Sequence, residues 1–297
     1  MNMLQVRDLV KRYDGFTAVD HLSFDVYSGE VFGLLGPNGA GKTTTIRIVM
    51  DIFKPDEGSV SVLGHPPGLA RERIGYLPEE RGLYRNLKVI DVLVYLAELK
   101  GTPRAVAEQR ARTWLERVDL AEWSEHKVRD LSRGMQQKLQ FIACLVHDPE
   151  LIILDEPFQG LDPVNVELIK QLLRELQREG KTIVLSAHQM NLVEALCDRI
   201  VLIHQGRAVL YGPLDEIKRR YAPRMVRVRT SASLPDMPGV MEVQRHADAY
   251  EITLQEIAPQ ELLRLLVERD IPVEAFEVSS PSLEEIFIAV VKEAAHA

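Results

Sequence analysis

The chain has 297 residues, 46% hydrophobic and 27% charged, with a formal net charge of −8. That length exceeds one typical domain, the composition is that of a globular protein with a real core, and the acidic balance argues against a protein built to coat nucleic acid. Two cysteines, Cys144 and Cys197, lie too far apart in sequence to suggest a disulfide framework or a zinc site, so reduced thiols are expected. The opening MNMLQVRDLVKRYDG lacks the apolar core of a signal peptide, and no run of about 18 apolar residues occurs, so work at a membrane would go through a partner.

In chain order, residues 3–35 read as short strands with turns, LQVRDLV and then LSFDVYSGEVFGLLG, punctuated by Ser28-Gly29. From Thr43 the period changes: Ile46, Val49, Met50 and Phe53 fall at helical spacing, which predicts a helix from about Lys42 that Lys54-Pro55 ends. GSVSVLG is another strand, and residues 88–147 look helical. LIILDEP and TIVLSAH are continuous apolar runs, the mark of buried parallel strands. Between them Asp162 and Pro163 suit the N-cap and first turn of a helix that Gly180 terminates. RIVLIHQGRAVLYG reads as a hairpin turning near Gly206.

The composition shifts at about residue 217. KRRYAPRMVRVR, residues 218–229, has six basic residues and no acid. An anionic-lipid or nucleic-acid patch is one reading; a linker entering a strand with one wet face, Arg227 and Arg229 alternating with Val226 and Val228, is the favoured one. A hairpin (Val240 to Thr253), a helix (Pro259 to Asp270), a strand (Val273 to Val278) and a last helix follow. Ser282 and Glu285 fit a capping box for that helix.

GPNGAGKT, residues 36–43, matches G-x-x-x-x-G-K-[ST], and the apolar strand VFGLL before it and the helix after it are the context the motif requires. Gly36, Gly39 and Gly41 let the backbone curl so that successive N–H groups point at phosphate oxygens, and the helix N-terminus adds its positive dipole end. Lys42 supplies a charge to the β- and γ-phosphates, and the Thr43 hydroxyl can ligate Mg²⁺. In LIILDEP, four apolar residues deliver Asp155 to a strand end, where its carboxylate can hold Mg²⁺. Glu156 follows; since adjacent strand positions point to opposite sides, it is expected to do a second job, orienting and deprotonating the attacking water. His188 ends the next buried strand, where an imidazole could contact the γ-phosphate and the water. A kinase would use the same phosphate loop.

GPNGAGKTT, LSRGMQQK, LIILDEP, GLDP and SAH, in this order and spacing, resemble the ATP-binding subunit of an ABC (ATP-binding cassette) transporter over about residues 3–216. The separate C-terminal domain and the wording EPFQGLDPVN and LSRGMQQKLQFI look like the ATPases that serve ABC-2-type exporters. The resemblance implies an α/β P-loop NTPase fold over residues 1–217, with a mixed-sheet core, an antiparallel β subdomain and a helical subdomain at about 86–147, then a small α+β accessory domain at 218–297. It implies ATP and Mg²⁺ as cofactors, with the nucleotide on Gly36, Pro37, Asn38, Gly39, Ala40, Gly41, Lys42, Thr43 and Thr44. Tyr13 looks like the aromatic residue that stacks on adenine.

LSRGM looks like the family's signature stretch, with Ser132 and the Gly134 N–H capping the γ-phosphate held by a second copy, and Asp162 looks like part of the loop that contacts the facing nucleotide site. Glu79 stands where the family commonly has Gln, a residue that senses Mg²⁺ and couples to the membrane subunit. Arg133 and Met135 likewise replace the common Gly and Gln. The implied partners are a second copy, closed head-to-tail over two ATPs, and a separately encoded multi-span permease that docks on the helical region, RGLYRNLKV included, at the cytoplasmic face of the cell membrane. No nucleic acid is expected. The alternative is a soluble ABC-type ATPase switching conformation on ribosomes or DNA, which the single cassette and the lack of sustained heptads count against.

Overall fold

The computed structural model describes residues 1–79, 82–221, 225–235, 237–246, 249–255, 257–278 and 281–296. Arg81, in the region expected to dock a permease, and Arg224, in the basic run, lie outside the described residues. The chain divides into two units, Met1–Leu214 and Asp215–Ala297.

In the first unit β1 (Asn2–Tyr13), β2 (Phe16–Tyr27), β3 (Val31–Leu35), α1 (Lys42–Val49), β4 (Glu57–Val62) and β5 (Ile74–Leu77) come first. The helical region follows as α2 (Val89–Glu98), α3 (Arg104–Arg117) and α4 (Arg133–Ala143). The chain then runs through β6 (Leu151–Asp155), α5 (Pro163–Arg178), β7 (Thr182–Ala187), α6 (Met190–Leu196), β8 (Arg199–His204) and β9 (Arg207–Pro213). The strands β2-β1-β4 form an antiparallel sheet. A second sheet has the order β5-β6-β7-β3-β8-β9, parallel from β5 to β8, with β9 antiparallel at its edge.

Every residue of β3, β6 and β7 is buried, as strands covered on both faces must be. Truncating one of these, Leu154 for example, removes a fully buried side chain and costs about 2–5 kcal/mol. The three lie side by side, so the loops leaving their carboxyl ends open on one edge of the sheet. Strand order departs there from chain order, the place where open α/β sheets bind ligands.

The first helix ends earlier than its apolar spacing predicts. α1 stops at Val49, and Asp51 takes a left-handed backbone (φ 58°). The Ile52 N–H reaches the Arg47 carbonyl at 2.8 Å and the Asp51 N–H the Ile48 carbonyl at 2.9 Å, a Schellman closure that satisfies the last carbonyls before Lys54-Pro55 is reached. At the start of α5, Asp162 caps through Oδ1, accepting from the Asn165 N–H at 2.9 Å, and Gly180 (φ 87°) follows its end. Such a cap is worth about 1 kcal/mol.

α7 (Leu214–Tyr221) leads into the second unit, with β10 (Met225–Arg229), β11 (Val240–His246), β12 (Ala249–Leu254), α8 (Pro259–Glu268), β13 (Ala275–Val278) and α9 (Leu283–His296). Its sheet has the order β11-β12-β10-β13. The basic run divides: Lys218, Arg219 and Arg220 form the last turn of α7 rather than a linker, and on β10 Val226 and Val228 are buried while Arg227 and Arg229 are exposed, a strand with one wet face. The Ser282–Glu285 box forms: the Ser282 N–H donates to Glu285 Oε2 at 2.8 Å, and the Glu285 N–H to Ser282 Oγ at 3.2 Å.

Candidate functional site

Between β3 and α1 the backbone turns through Gly36 (φ 149°), Gly39 (φ 79°) and Gly41 (φ 108°). Glycine is required at two of these for space as well: a Cβ on Gly36 would lie 2.3 Å from the Ile203 carbonyl oxygen, and one on Gly41 2.4 Å from that of Ala18. Lys42, 5% exposed, donates from Nζ to the carbonyls of Gly36 at 2.8 Å and Pro37 at 3.2 Å. The loop thus folds over its own lysine, with N–H groups at the positive end of α1 left to meet an anion.

Asp155 ends β6 and is 1% exposed. Its Oδ1 accepts from the Ser186 hydroxyl at 2.6 Å and the Thr43 hydroxyl at 3.3 Å. Its Oδ2 is buried with no hydrogen-bond partner among the described residues. Burial raises the Asp155 carboxyl above the ordinary range, the Ser186 and Thr43 hydroxyls oppose that, and the neighbouring Glu156 carboxylate adds to it. A buried carboxylate oxygen without a donor, beside a threonine hydroxyl on the phosphate loop, is the donor chemistry of a hard divalent cation that takes its remaining ligands from phosphate and water.

Glu156 is placed differently from the strand-alternation expectation. β6 ends at Asp155, and Glu156 has a left-handed backbone (φ 51°), so a reversed chain direction rather than the strand pleat separates the two carboxylates. The Glu156 N–H donates to Ser186 Oγ at 2.9 Å, which fixes that turn. Ser186 therefore serves both acids, and it was not singled out from the sequence. The Glu156 Oε2 lies 2.9 Å from His188 Nδ1, and its Oε1 lies 3.4 Å from Lys42 Nζ, an ion pair without hydrogen-bond geometry. Loop lysine, carboxylate and imidazole thus form one chain across the mouths of β3, β6 and β7.

A cavity of about 350 Å³ opens beside this chain, lined by Asn38, Gly39, Ala40, Gly41, Lys42, Thr43 and Thr44, by Glu79 and Glu156, and by Tyr13 and Phe16. Tyr13 and Phe16 pair across the Asp14-Gly15 turn of the β1–β2 hairpin, and both are exposed. Phe16 went unremarked in the sequence, although Asp-Gly between two strands signals a tight hairpin that sets its flanking residues side by side. Glu79 is exposed just past β5.

The remaining residues expected at the site lie elsewhere in the same chain. Ser132 caps α4, its Oγ accepting from the Met135 N–H at 3.2 Å. Gly134 is helical, and an added Cβ would meet only Asn165 Nδ2, at 3.5 Å. Asp162 sits at the N-terminus of α5. The LSRGMQQK stretch is thus the start of an amphipathic helix whose buried part begins at Leu139.

Comparisons with known proteins agree with this geometry. Residues 19–159 match the ABC transporter family model, and residues 212–291 match the C-terminal domain of DrrA1-3-like ATP-binding proteins. The ABC transporter ATP-binding protein YhaQ of Bacillus subtilis is 42% identical over 291 residues, covering 96% of this chain and 97% of the relative. The Nod factor export ATP-binding protein I of Burkholderia pseudomallei is 40% identical over 227 residues, covering 75% of this chain and 72% of the relative. Among solved structures, a dimeric ATP-binding cassette in a post-hydrolysis state bound to ADP and phosphate superposes with a TM-score of 0.66 at 25% identity, covering 71% of this chain and 99% of that one. The chain belongs to the ABC transporter ATP-binding proteins. Its activity is that of the class, binding and hydrolysis of ATP as the ATPase subunit of a transporter.

Proposed function

We propose that the chain powers export through a separate multi-span membrane subunit, from the cytoplasmic face of the membrane, with two copies closing head-to-tail over two molecules of ATP. The observation that carries the catalytic part is the chain Lys42–Glu156–His188 beside the orphaned Asp155 Oδ2, all at the mouth of the glycine loop. Tyr13, with Phe16 across its hairpin, provides the aromatic wall for adenine. Backbone N–H groups of residues 38–44 and the Lys42 ammonium hold the phosphates, with Gly36 and Pro37, which has no N–H, shaping the turn. Asp155 and the Thr43 hydroxyl would hold Mg²⁺, with Glu79 beside them, and the ion supplies charge neutralisation on the phosphate oxygens. Glu156 takes the proton of the attacking water, and His188 orients the Glu156 carboxylate and reaches toward the γ-phosphate.

Ser132 and Gly134 do not line the cavity of their own chain. The proposed role for them, with Asp162, is in trans, completing the site of the partner copy at the N-terminus of α4. Because ATP then binds the pair better than the single chain, it drives association, and loss of the γ-phosphate contact lets the pair open. Support for the dimer comes from the dimeric cassette this chain resembles, and support for export from the relative named for Nod factor export together with the matched C-terminal domain. Among the described residues no helix is long and apolar enough to cross a membrane, so the membrane path is assigned to another chain.

A variant at Gly134 separates the trans contact from folding. Gly134→Ala meets ordinary van der Waals space in its own chain, so its melting temperature should stay at the wild-type value. Its ATPase rate should fall by about tenfold or more, because the added methyl lies between α4 and Asn165 and crowds the helix start where the Gly134 N–H is proposed to meet the partner's phosphate. A stable variant with wild-type ATPase would exclude Gly134 from the site. For the membrane partner, tagged Glu156→Gln protein captured with ATP from detergent-solubilised native membranes should bring down a stoichiometric multi-span protein. Recovery with ribosomes or DNA-bound proteins instead would favour the switch ATPase.

A further inference from the structure

α4 approaches the segment that follows Glu156 at two points. Gly134 and Gln137, three apart and so on one helix face, both look toward residues 159–165. A Cβ on Gly134 would lie 3.5 Å from Asn165 Nδ2, and Asn165 in turn holds both oxygens of Asp162, at 2.9 and 2.6 Å. Gln137 Nε2 donates to the Gln159 carbonyl at 2.5 Å. Gln159 closes the turn that begins at Glu156, its own N–H reaching the Glu156 carbonyl at 3.2 Å.

Between helix and turn lies a cavity of about 340 Å³ lined by Gln137, Gln159, Asp155 and Glu156 among others. The helix face is therefore joined to the turn across open space, and the Gln137 amide is a polar bridge across it. The other end of that amide, Oε1, is buried with no hydrogen-bond partner among the described residues, so the polar anchor of the side chain is its bond to the turn.

We propose that Gln137 is a positioning residue that ties the start of α4 to the turn carrying Glu156, so that seating of Ser132 and Gly134 on one ATP sets the Glu156 carboxylate over the other. This rests on the head-to-tail reading above. In that arrangement α4 of one copy touches the partner's nucleotide while Glu156 of the same copy faces its own. Gln137 is then the path by which occupancy of one site is felt at the other. It acts through the backbone at Gln159, touches no substrate, and holds Glu156 where its carboxylate meets the water. Displacement of a catalytic group by about 1 Å is enough to cost about a hundredfold in rate.

The test is Gln137→Met, which keeps the length of the side chain and its volume but loses the donor. The expected result is a kcat for Mg-ATP hydrolysis lowered by about tenfold to a hundredfold. The KM for ATP should stay within about twofold of wild type and the melting temperature should not change, since the nucleotide contacts are intact. The double variant Glu156→Gln/Gln137→Met should still form the ATP-dependent dimer that Glu156→Gln forms. A kcat within about twofold of wild type overturns the proposal. So does a lowered kcat accompanied by a lower melting temperature or by loss of the dimer in the double variant, because Gln137 would then serve packing alone. If Glu156→Gln by itself stays monomeric in Mg-ATP, it is the head-to-tail reading that fails.

Discussion

Glu156→Gln should bind ATP as well as the wild type and hydrolyse it about 10²- to 10⁴-fold more slowly, the loss that follows removal of a general base. The geometry makes this variant clean. Glu156 Oε2 sits 2.9 Å from His188 Nδ1, and a glutamine amide fills the same volume and still offers an oxygen to that ring. The backbone turn that places residue 156 is fixed by the Ser186 hydroxyl through the main-chain N–H, which the substitution leaves alone. What disappears is the carboxylate's ability to take a proton and its charge beside Lys42. Removing that negative charge lowers its repulsion of the γ-phosphate, so ATP affinity should be unchanged or higher. Single-turnover hydrolysis alongside equilibrium nucleotide binding distinguishes this result from a simple loss of the site, in which both would fall together.

Lys42→Ala should produce the opposite division, a binding defect first. The ammonium is 5% exposed and is satisfied by the carbonyls of Gly36 and Pro37 and by the Glu156 carboxylate. ATP offers it phosphate oxygens instead. A charge-assisted hydrogen bond is worth about 1.5–3 kcal/mol, so ATP should bind about ten- to a hundredfold more weakly to Lys42→Ala. The emptied space also leaves two loop carbonyls without a donor and Glu156 without its cation, so the loop loses its internal support. Isothermal titration with ATP measures the effect; an affinity equal to wild type would show that the backbone amides and helix dipole suffice alone.

The parts of the fold legible in the sequence are those fixed by local pattern. LIILD and TIVLSA could be read as buried strands because an unbroken apolar run of that length has few other homes, and both are buried throughout. Asp162-Pro163 announced a helix start because its capping chemistry spans only a few residues. The end of α1 is not legible because periodicity continues through Phe53, whereas the chain is stopped at Asp51 by a left-handed closure that a non-glycine residue does not advertise. Glu156 departs from the direction of Asp155 not through strand alternation but through a left-handed backbone held by Ser186, which lies thirty positions away. The contacts of Ser186 with Asp155 and Glu156, of Phe16 with the cavity and of Gln137 with Gln159 are not legible in the sequence because each is made only by folding.

The account turns on two copies sharing their nucleotides, and the mass of Glu156→Gln in solution tests that most directly. Size-exclusion chromatography with light scattering should give one chain, 33.6 kDa, without nucleotide and twice that mass in saturating Mg-ATP. A single-chain mass under both conditions would contradict the trans role proposed for Ser132 and Gly134, and with it the coupling proposed for Gln137.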